Sequence, residues 1–182
     1  MRIIRGKYKT RRYPVPKSFP SRPTTDFAKE GLFNILEHQY LSENMEILDL
    51  CAGTGNISIE FLSREVGKVI AVDKNFNAYK HMKAMASELG CQEELTVIKA
   101  DILKFISKTD KQFDLIFADP PYKYADHKSI VEIVFQRNLL KEDGILIIEH
   151  GRETSLENIT QFKFMRIYGN VHFSFFEYVE GL

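Results

Sequence analysis

The stretch FADPPYK, residues 117–123, leaves an apolar run with an acid, two prolines and an aromatic in succession. Proline fixes its own φ near −65° and holds the residue before it extended, so this segment is a stiff, non-helical loop that can present side chains at a strand end. Three more acids end or closely follow apolar runs: Asp49 in MEILDLCAGTGN, Asp73 in VIAVDKN and Asp101 in KADIL. Gly53 and Gly55 follow the first of these and open a predicted helix, an arrangement that lets backbone approach a ligand more closely than side chains permit. A carboxylate at Asp73 can accept hydrogen bonds from both hydroxyls of a ribose. Asp101 can accept from an adenine amino group while Ile102 flanks the ring. The glycine run continues to Ser58 where a third glycine would stand, so it is not the full dinucleotide fingerprint.

These groups need a framework that brings distant segments to one edge. Apolar, β-branched runs predict strands over 46–51, 68–72, 95–99, 113–118 and 144–149, and helical spacing predicts helices over 55–64, 75–89, 101–108 and 127–137. Strands alternating with helices of this length imply βαβ units and a parallel sheet covered on both faces. The rhythm breaks at the end, where 162–168 and 171–180 are separated only by Gly169 and Asn170 and predict an antiparallel hairpin at the sheet edge. Upstream, TTDFAKEGLFNILEHQY begins with capping residues (Thr24, Thr25, Asp26) and spaces Phe27, Leu32, Phe33, Ile35 and Leu36 as one helix would, with Gly31 as its weak point. The fold class is therefore α/β, in a chain whose 182 residues, 44% of them apolar or aromatic, suffice for one core and are few for two.

Composition narrows the setting. No run approaches the roughly 18 apolar residues of a membrane span, and MRIIRGKYKT lacks a signal peptide's apolar centre. Cys51 and Cys91 lie far apart without CxxC spacing, which suits packing roles in a reducing compartment; the expected location is cytoplasmic. The five histidines show no ligand spacing, and no metal is expected. Charge is zero overall but uneven: eight bases and no acid precede Asp26, while the remaining 17 bases face 25 acids. A cationic arm on an acidic body suits a polyanionic partner. Ile3, Ile4, Tyr8, Tyr13 and Val15 interleave with those bases, so the arm should be partly structured, as a hairpin turning near Gly6 and Lys7.

LDLCAGTG, AVD, KAD and ADPPY, in this order, resemble the S-adenosylmethionine-dependent methyltransferases with a seven-stranded Rossmann-like sheet, mostly parallel with a C-terminal antiparallel hairpin. The resemblance implies S-adenosylmethionine as cofactor, with Gly53 and Gly55 against its methionine part, Asp49 near its amino-acid end, Asp73 on the ribose, and Asp101 and Ile102 at adenine. Cys51, Lys74 and Asp119 complete the implied cofactor set. The DPPY motif resembles that of amino-group N-methyltransferases, and here the chemistry is direct. A nitrogen conjugated to a π system is a poor nucleophile until two acceptors on its N–H bonds draw it toward tetrahedral geometry, and those acceptors also stabilise the positive charge that develops. Asp119, anionic at an ordinary carboxylate pKa of about 3.9, and the Pro120 carbonyl are the expected pair. Pro121 would fix the carbonyl's direction, and Tyr122 offers a face for a planar substrate.

This chemistry alone leaves open adenine or cytosine in DNA, guanine in RNA, glutamine in protein, and a non-catalytic RNA-binding assembly factor that kept the fold. The segments MRIIRGKYKTRR and SRPTTDFAKEGLFNIL resemble the "MRIIxGxxxGRxL" and "RPTxDxxKExLFN" signatures of the bacterial 16S rRNA guanine-966 N2-methyltransferases, departing at Thr10 (usually glycine) and Tyr13 (usually leucine). This implies methylation of a guanine N2 amine in 16S rRNA, within an assembling small ribosomal subunit; nothing in the sequence demands more than a monomer. Residues 1–23 would form the RNA arm, with Arg2, Arg5, Lys7, Lys9, Arg11, Arg12 and Arg22 on phosphates, and 24–182 the methyltransferase domain. Lys29 is a further candidate for holding RNA. His127 and Lys123 lie just beyond the motif, where they could touch substrate, although a loop histidine is more often solvated, and His38, His81, His150 and His172 are assigned no role.

Overall fold

The computed structural model describes residues 2–13, 25–121 and 126–179; Arg22, Thr24, Tyr122 and Lys123 lie outside them. Seven strands form one sheet in the order β3-β2-β1-β4-β5-β7-β6. The strands are β1 (Met45–Leu50), β2 (Gly67–Asp73), β3 (Leu95–Lys99), β4 (Phe113–Ala118), β5 (Leu140–His150), β6 (Phe162–Tyr168) and β7 (Val171–Phe176). The first five pair in parallel, and β7 enters antiparallel between β5 and β6. The predicted hairpin is present, and only β6 occupies the edge. β5 begins earlier than its apolar run because a register shift lets Phe113 pair with Leu140 before Leu115 pairs with Ile145.

Helices α1 (Asp26–Gln39), α2 (Asn56–Ser63) and α3 (Phe76–Leu89) cover one face, and α4 (Ile102–Ile106) and α5 (His127–Gln136) the other. Strand alternation sorts the core accordingly. Ile47, Phe117 and Ile147 pack with the first helix set, and Leu48, Ile116 and Ile148 with the second. By the same parity Asp49, Asp73 and Glu149 share the α1–α3 face.

The basic arm is docked. Ile3, Tyr8 and Tyr13 are buried, and an isolated bridge joins Arg2 to Arg12 around a turn at residues 6–10. Gly6 (φ +87°) is dictated by contact as well as conformation, because a Cβ there would lie 1.7 Å from the Ser63 carbonyl oxygen. Thr10 sits at φ +72°. A β-branched residue in the left-handed region is strained, so glycine would sit at this position at lower cost.

Beneath the arm, Lys29 is fully buried, and it is not a surface contact for RNA. Its ammonium donates to the Arg2 carbonyl (2.6 Å) and to Asn56 Oδ1 (2.8 Å) and pairs with Glu60 (3.1 Å), using all three of its N–H bonds. Glu60, also fully buried, accepts from the backbone N–H groups of Ile4 (2.9 Å) and Arg5 (3.1 Å) and from Arg64 (3.0 Å). Burial, opposed chiefly by Glu60, lowers the Lys29 pKa. Sequence spacing places Lys29 on a helix and cannot say which side the arm will cover.

Helix α1 departs from expectation at a second point. Leu32, Phe33 and Leu36 are in the core, but Phe27 is 70% exposed. Gly31 has a packing reason: an added Cβ would fall 2.2 Å from the Tyr168 ring.

Candidate active site

The carboxyl ends of the parallel strands converge where the strand order reverses, between β1 and β4, the place at which open α/β sheets bind ligands. Leaving β1, the chain takes a left-handed step at Cys51 (φ +59°) and again at Gly53 (φ +53°). The loop is held from the neighbouring strand. Asp73 accepts from the Gly53 N–H (2.9 Å) through one oxygen and from the Asn75 N–H (2.7 Å) through the other. Since a carboxylate offers about four acceptor sites, two remain for a ligand's hydroxyls.

The two glycines serve different ends. A Cβ on Gly53 would meet nothing nearer than the Cys51 carbonyl oxygen at 3.8 Å, so this backbone borders open space. On Gly55 (φ +75°) it would press against Met85 and Met82 of α3 at 3.0 and 3.1 Å, so this glycine serves helix packing. Lys74 is exposed beside the loop. Asp101 is the N-cap of α4, accepting from the Lys104 N–H (3.1 Å) through Oδ1. Ile102, next to it, is 5% exposed and belongs to the core below.

Asp119 leaves β4 with its N–H bonded to the Leu50 carbonyl (3.1 Å), which ties the start of the proline loop to the end of β1. Pro120 is buried and Pro121 exposed. Because Phe117 pairs with Ile147, two residues further along Glu149 comes alongside Asp119. Desolvation, then the charges of Glu149 and Asp49, hold the Asp119 carboxyl well above the usual carboxylate range. The expectation of an ordinary carboxylate pKa at Asp119 is thereby corrected, because crowded acids in a medium of low dielectric resist sharing negative charge. Asp49 is buried and shows the same effect, pushed up to about 7 by desolvation, lowered by its bonds to Ser58 and raised by Asp73 and Glu149. Burial, with Asp73, Asp119 and Asp49, likewise pushes the Cys51 thiol up, so this cysteine stays protonated.

Sequence reading missed Glu149 and Ser58. For Glu149 the signal was present, since ILIIEHG ends an apolar strand in an acid as the other strands do. Ser58 carries no such mark; it reaches Asp49 because α2 folds back over β1. His127 is buried at the start of α5, its ring 6.4 Å from that of His150, which lies 5.5 Å from His172. All three lie toward this end of the sheet. Among the described residues no helix is long and apolar enough to cross a membrane.

Chemically, the site can hold a ligand that carries positive charge and hydroxyl groups. The crowded carboxylates favour the charge, Asp73 can take the hydroxyls, and Gly53 leaves room for close approach. Strand order, glycine loop and acid-ended strands together define a methyltransferase of the Rossmann-like class. The chain belongs to the family described as conserved hypothetical protein 95, whose model matches residues 1–177. Similar chains include ribosomal RNA small subunit methyltransferase D of Haemophilus influenzae, 32% identical over 90% of this chain and 86% of that one. The protein of the same name from Buchnera aphidicola subsp. Baizongia pistaciae is 30% identical over 82% of this chain and 75% of its own. A solved structure from Haemophilus influenzae, described as a "putative methylase", superposes with a TM-score of 0.80 at 26% identity and covers 98% of each chain.

Proposed function

We propose that this protein transfers a methyl group from S-adenosylmethionine to the exocyclic N2 amine of a guanine in small-subunit ribosomal RNA. The observation that carries the reading is the acid–proline–proline loop, anchored to β1 by the Asp119 N–H and standing beside the glycine loop and the buried carboxylates. Similarity to proteins named for small-subunit ribosomal RNA supports the substrate.

The residues fit the cofactor as a donor set: Asp73 for the ribose, Gly53 and Cys51 along the methionine part, Asp49 toward the amino-acid end, Asp101 and Ile102 at adenine. When bound, the cofactor supplies a methyl group on a positively charged sulfur. Positive charge among Asp49, Asp119 and Glu149 offsets their repulsion and favours the ionised form of Asp119 when an acceptor is needed. Asp119 and the Pro120 carbonyl then accept from the two N–H bonds of the amine, and Tyr122 supports the base. Transfer would form the N–C bond as the methyl–sulfur bond breaks and the neutral thioether leaves, and the nitrogen, made acidic, would lose its proton to Asp119 or to water.

The substrate RNA is met by the docked arm, where Lys7, Lys9, Arg11 and Arg12 are exposed. Arg2 and Arg5, also proposed for phosphates, are engaged with Asp26 (3.0 Å) and Glu37 (2.6 Å). We place the reaction in the assembling subunit, in the cytoplasm, with the protein acting as a monomer.

The direct test supplies radiolabelled S-adenosylmethionine and small ribosomal subunits from a strain lacking this protein, followed by digestion to nucleosides. Label in N2-methylguanosine at one position is expected. Label only in DNA or protein acceptors tried in parallel would replace the proposed substrate.

A pH effect follows from Asp49. Its folded-state pKa of about 7 lies above its unfolded value of 3.8, so the folded state holds the extra proton between them. This contribution to stability is complete below the unfolded value and is lost as pH rises through the folded one. A cation at the site favours ionised Asp49. The rise in Tm produced by saturating S-adenosylmethionine should therefore be larger at pH 8 than at pH 6, and an equal or smaller rise would contradict its role.

A further inference from the structure

We propose that Phe27, backed by Tyr168, is a stacking shelf for an unpaired RNA base neighbouring the target guanine; this rests on the RNA reading above and adds a second contact site to it. Phe27 is the most exposed of the large apolar side chains described, at 70%, and meets the Tyr168 ring edge-on at 5.7 Å. Tyr168 in turn lies where a side chain at position 31 would stand, so the helix gives up helix propensity at Gly31 to seat an aromatic ring against it. A ring that is 70% exposed and nearly perpendicular to its one seated neighbour leaves at least one flat face open to solvent.

The shelf borders an open cavity of about 590 Å³ along the outer side of α1, whose wall nearest Phe27 carries Glu30 and, a turn further on, Asn34, polar groups able to meet a base edge. Its size falls within the roughly 300–1,000 Å³ of small-ligand sites. Topology puts it on the substrate side. β6 runs parallel to β5, so Tyr168 emerges at the same sheet edge as Glu149 and His150. Lys29, two residues after Phe27, touches Asn56 at the end of the glycine loop, and Asp26, just before it, holds Arg2 of the arm.

Charge favours RNA as the occupant. Exposed Arg12 lies across from Arg2, which pairs with Asp26 beside the shelf, and Arg166 precedes Tyr168 on the same face of β6; Lys7 and Lys9 stand at the far turn, beside Ser63. Single-stranded RNA is held by this combination of cationic groups along the backbone and aromatic faces under its bases.

The test measures binding of deproteinised small-subunit rRNA and methylation kinetics on small subunits for Phe27→Ala, Phe27→Tyr and Phe27→Leu. Loss of one stacked base predicts about tenfold weaker rRNA binding and a matching rise in KM for Phe27→Ala. Its kcat and its affinity for S-adenosylhomocysteine should stay near wild type. Tyrosine should keep most of the affinity, and leucine, apolar but not planar, should not. Affinity within twofold of wild type for Phe27→Ala, or full recovery of rRNA affinity by leucine, would overturn the shelf; leucine that restored KM on small subunits without restoring affinity for deproteinised rRNA would overturn it in favour of an apolar protein partner. Wild-type protein that neither bound nor methylated RNA would instead overturn the substrate reading and the shelf with it.

Discussion

Alanine at Glu60 is expected to destabilise the protein by about 3–5 kcal/mol, the cost of leaving a buried charge without its partner. The reason lies in how completely this carboxylate is used. It meets Lys29, Arg64 and the backbone N–H groups of Ile4 and Arg5, and neither its own side chain nor that of Lys29 has any solvent exposure. Truncation strands the Lys29 ammonium and two backbone donors together. For a chain of this length each kcal/mol lowers Tm by roughly 2–4 °C, so a drop on the order of 10 °C should appear in thermal denaturation. A fall of only a degree or two would mean that the network contributes little. Because the lost bonds join body to arm, rRNA affinity should fall further than affinity for S-adenosylhomocysteine. Combining Lys29→Met with Glu60→Gln should recover part of the stability, since no unpaired ammonium then remains.

Asp119→Ala is expected to lower single-turnover methylation by roughly 10²-fold or more, equivalent to about 3 kcal/mol of transition-state stabilisation. The acceptor for one N–H bond of the amine disappears, and with it the charge that stabilises the nitrogen as it becomes cationic. Affinity for S-adenosylhomocysteine, whose sulfur is uncharged, should stay nearly unchanged, because the ribose and glycine-loop contacts do not involve this side chain. Asn keeps one acceptor oxygen without the charge, so Asp119→Asn should lie between alanine and wild type. Methylation by Asp119→Ala within tenfold of wild type would remove Asp119 from the chemistry. The two variants separate cleanly: the first acts through folding and the arm, the second through turnover in a stable protein.

Local sequence determined the parts of this protein that depend on neighbours along the chain. β-branched apolar runs specify strands, Gly169 and Asn170 leave room only for a hairpin turn, and acids following Ile47–Leu48, Ala71–Val72 and Phe117–Ala118 mark where a parallel sheet must present polar groups. The motifs also announced the methyltransferase class, because its glycine loop and DPPY loop are short contiguous segments whose backbone demands are written in glycine and proline. Tertiary structure decided what each side chain faces. Lys29 and Phe27 stand two residues apart on one helix, yet the lysine is enclosed by the arm and α2 while the phenylalanine is left in solvent. Helical spacing puts Lys29 in the stripe of Leu32, Phe33 and Leu36 and Phe27 on the other side, but it cannot foresee the partners on the arm and α2 that let a lysine stay buried there. The raised pKa values of Asp49 and Asp119 have the same origin. Each acid is ordinary in its own segment, and the register of β1, β4 and β5 makes them, with Glu149, one crowded cluster of charge.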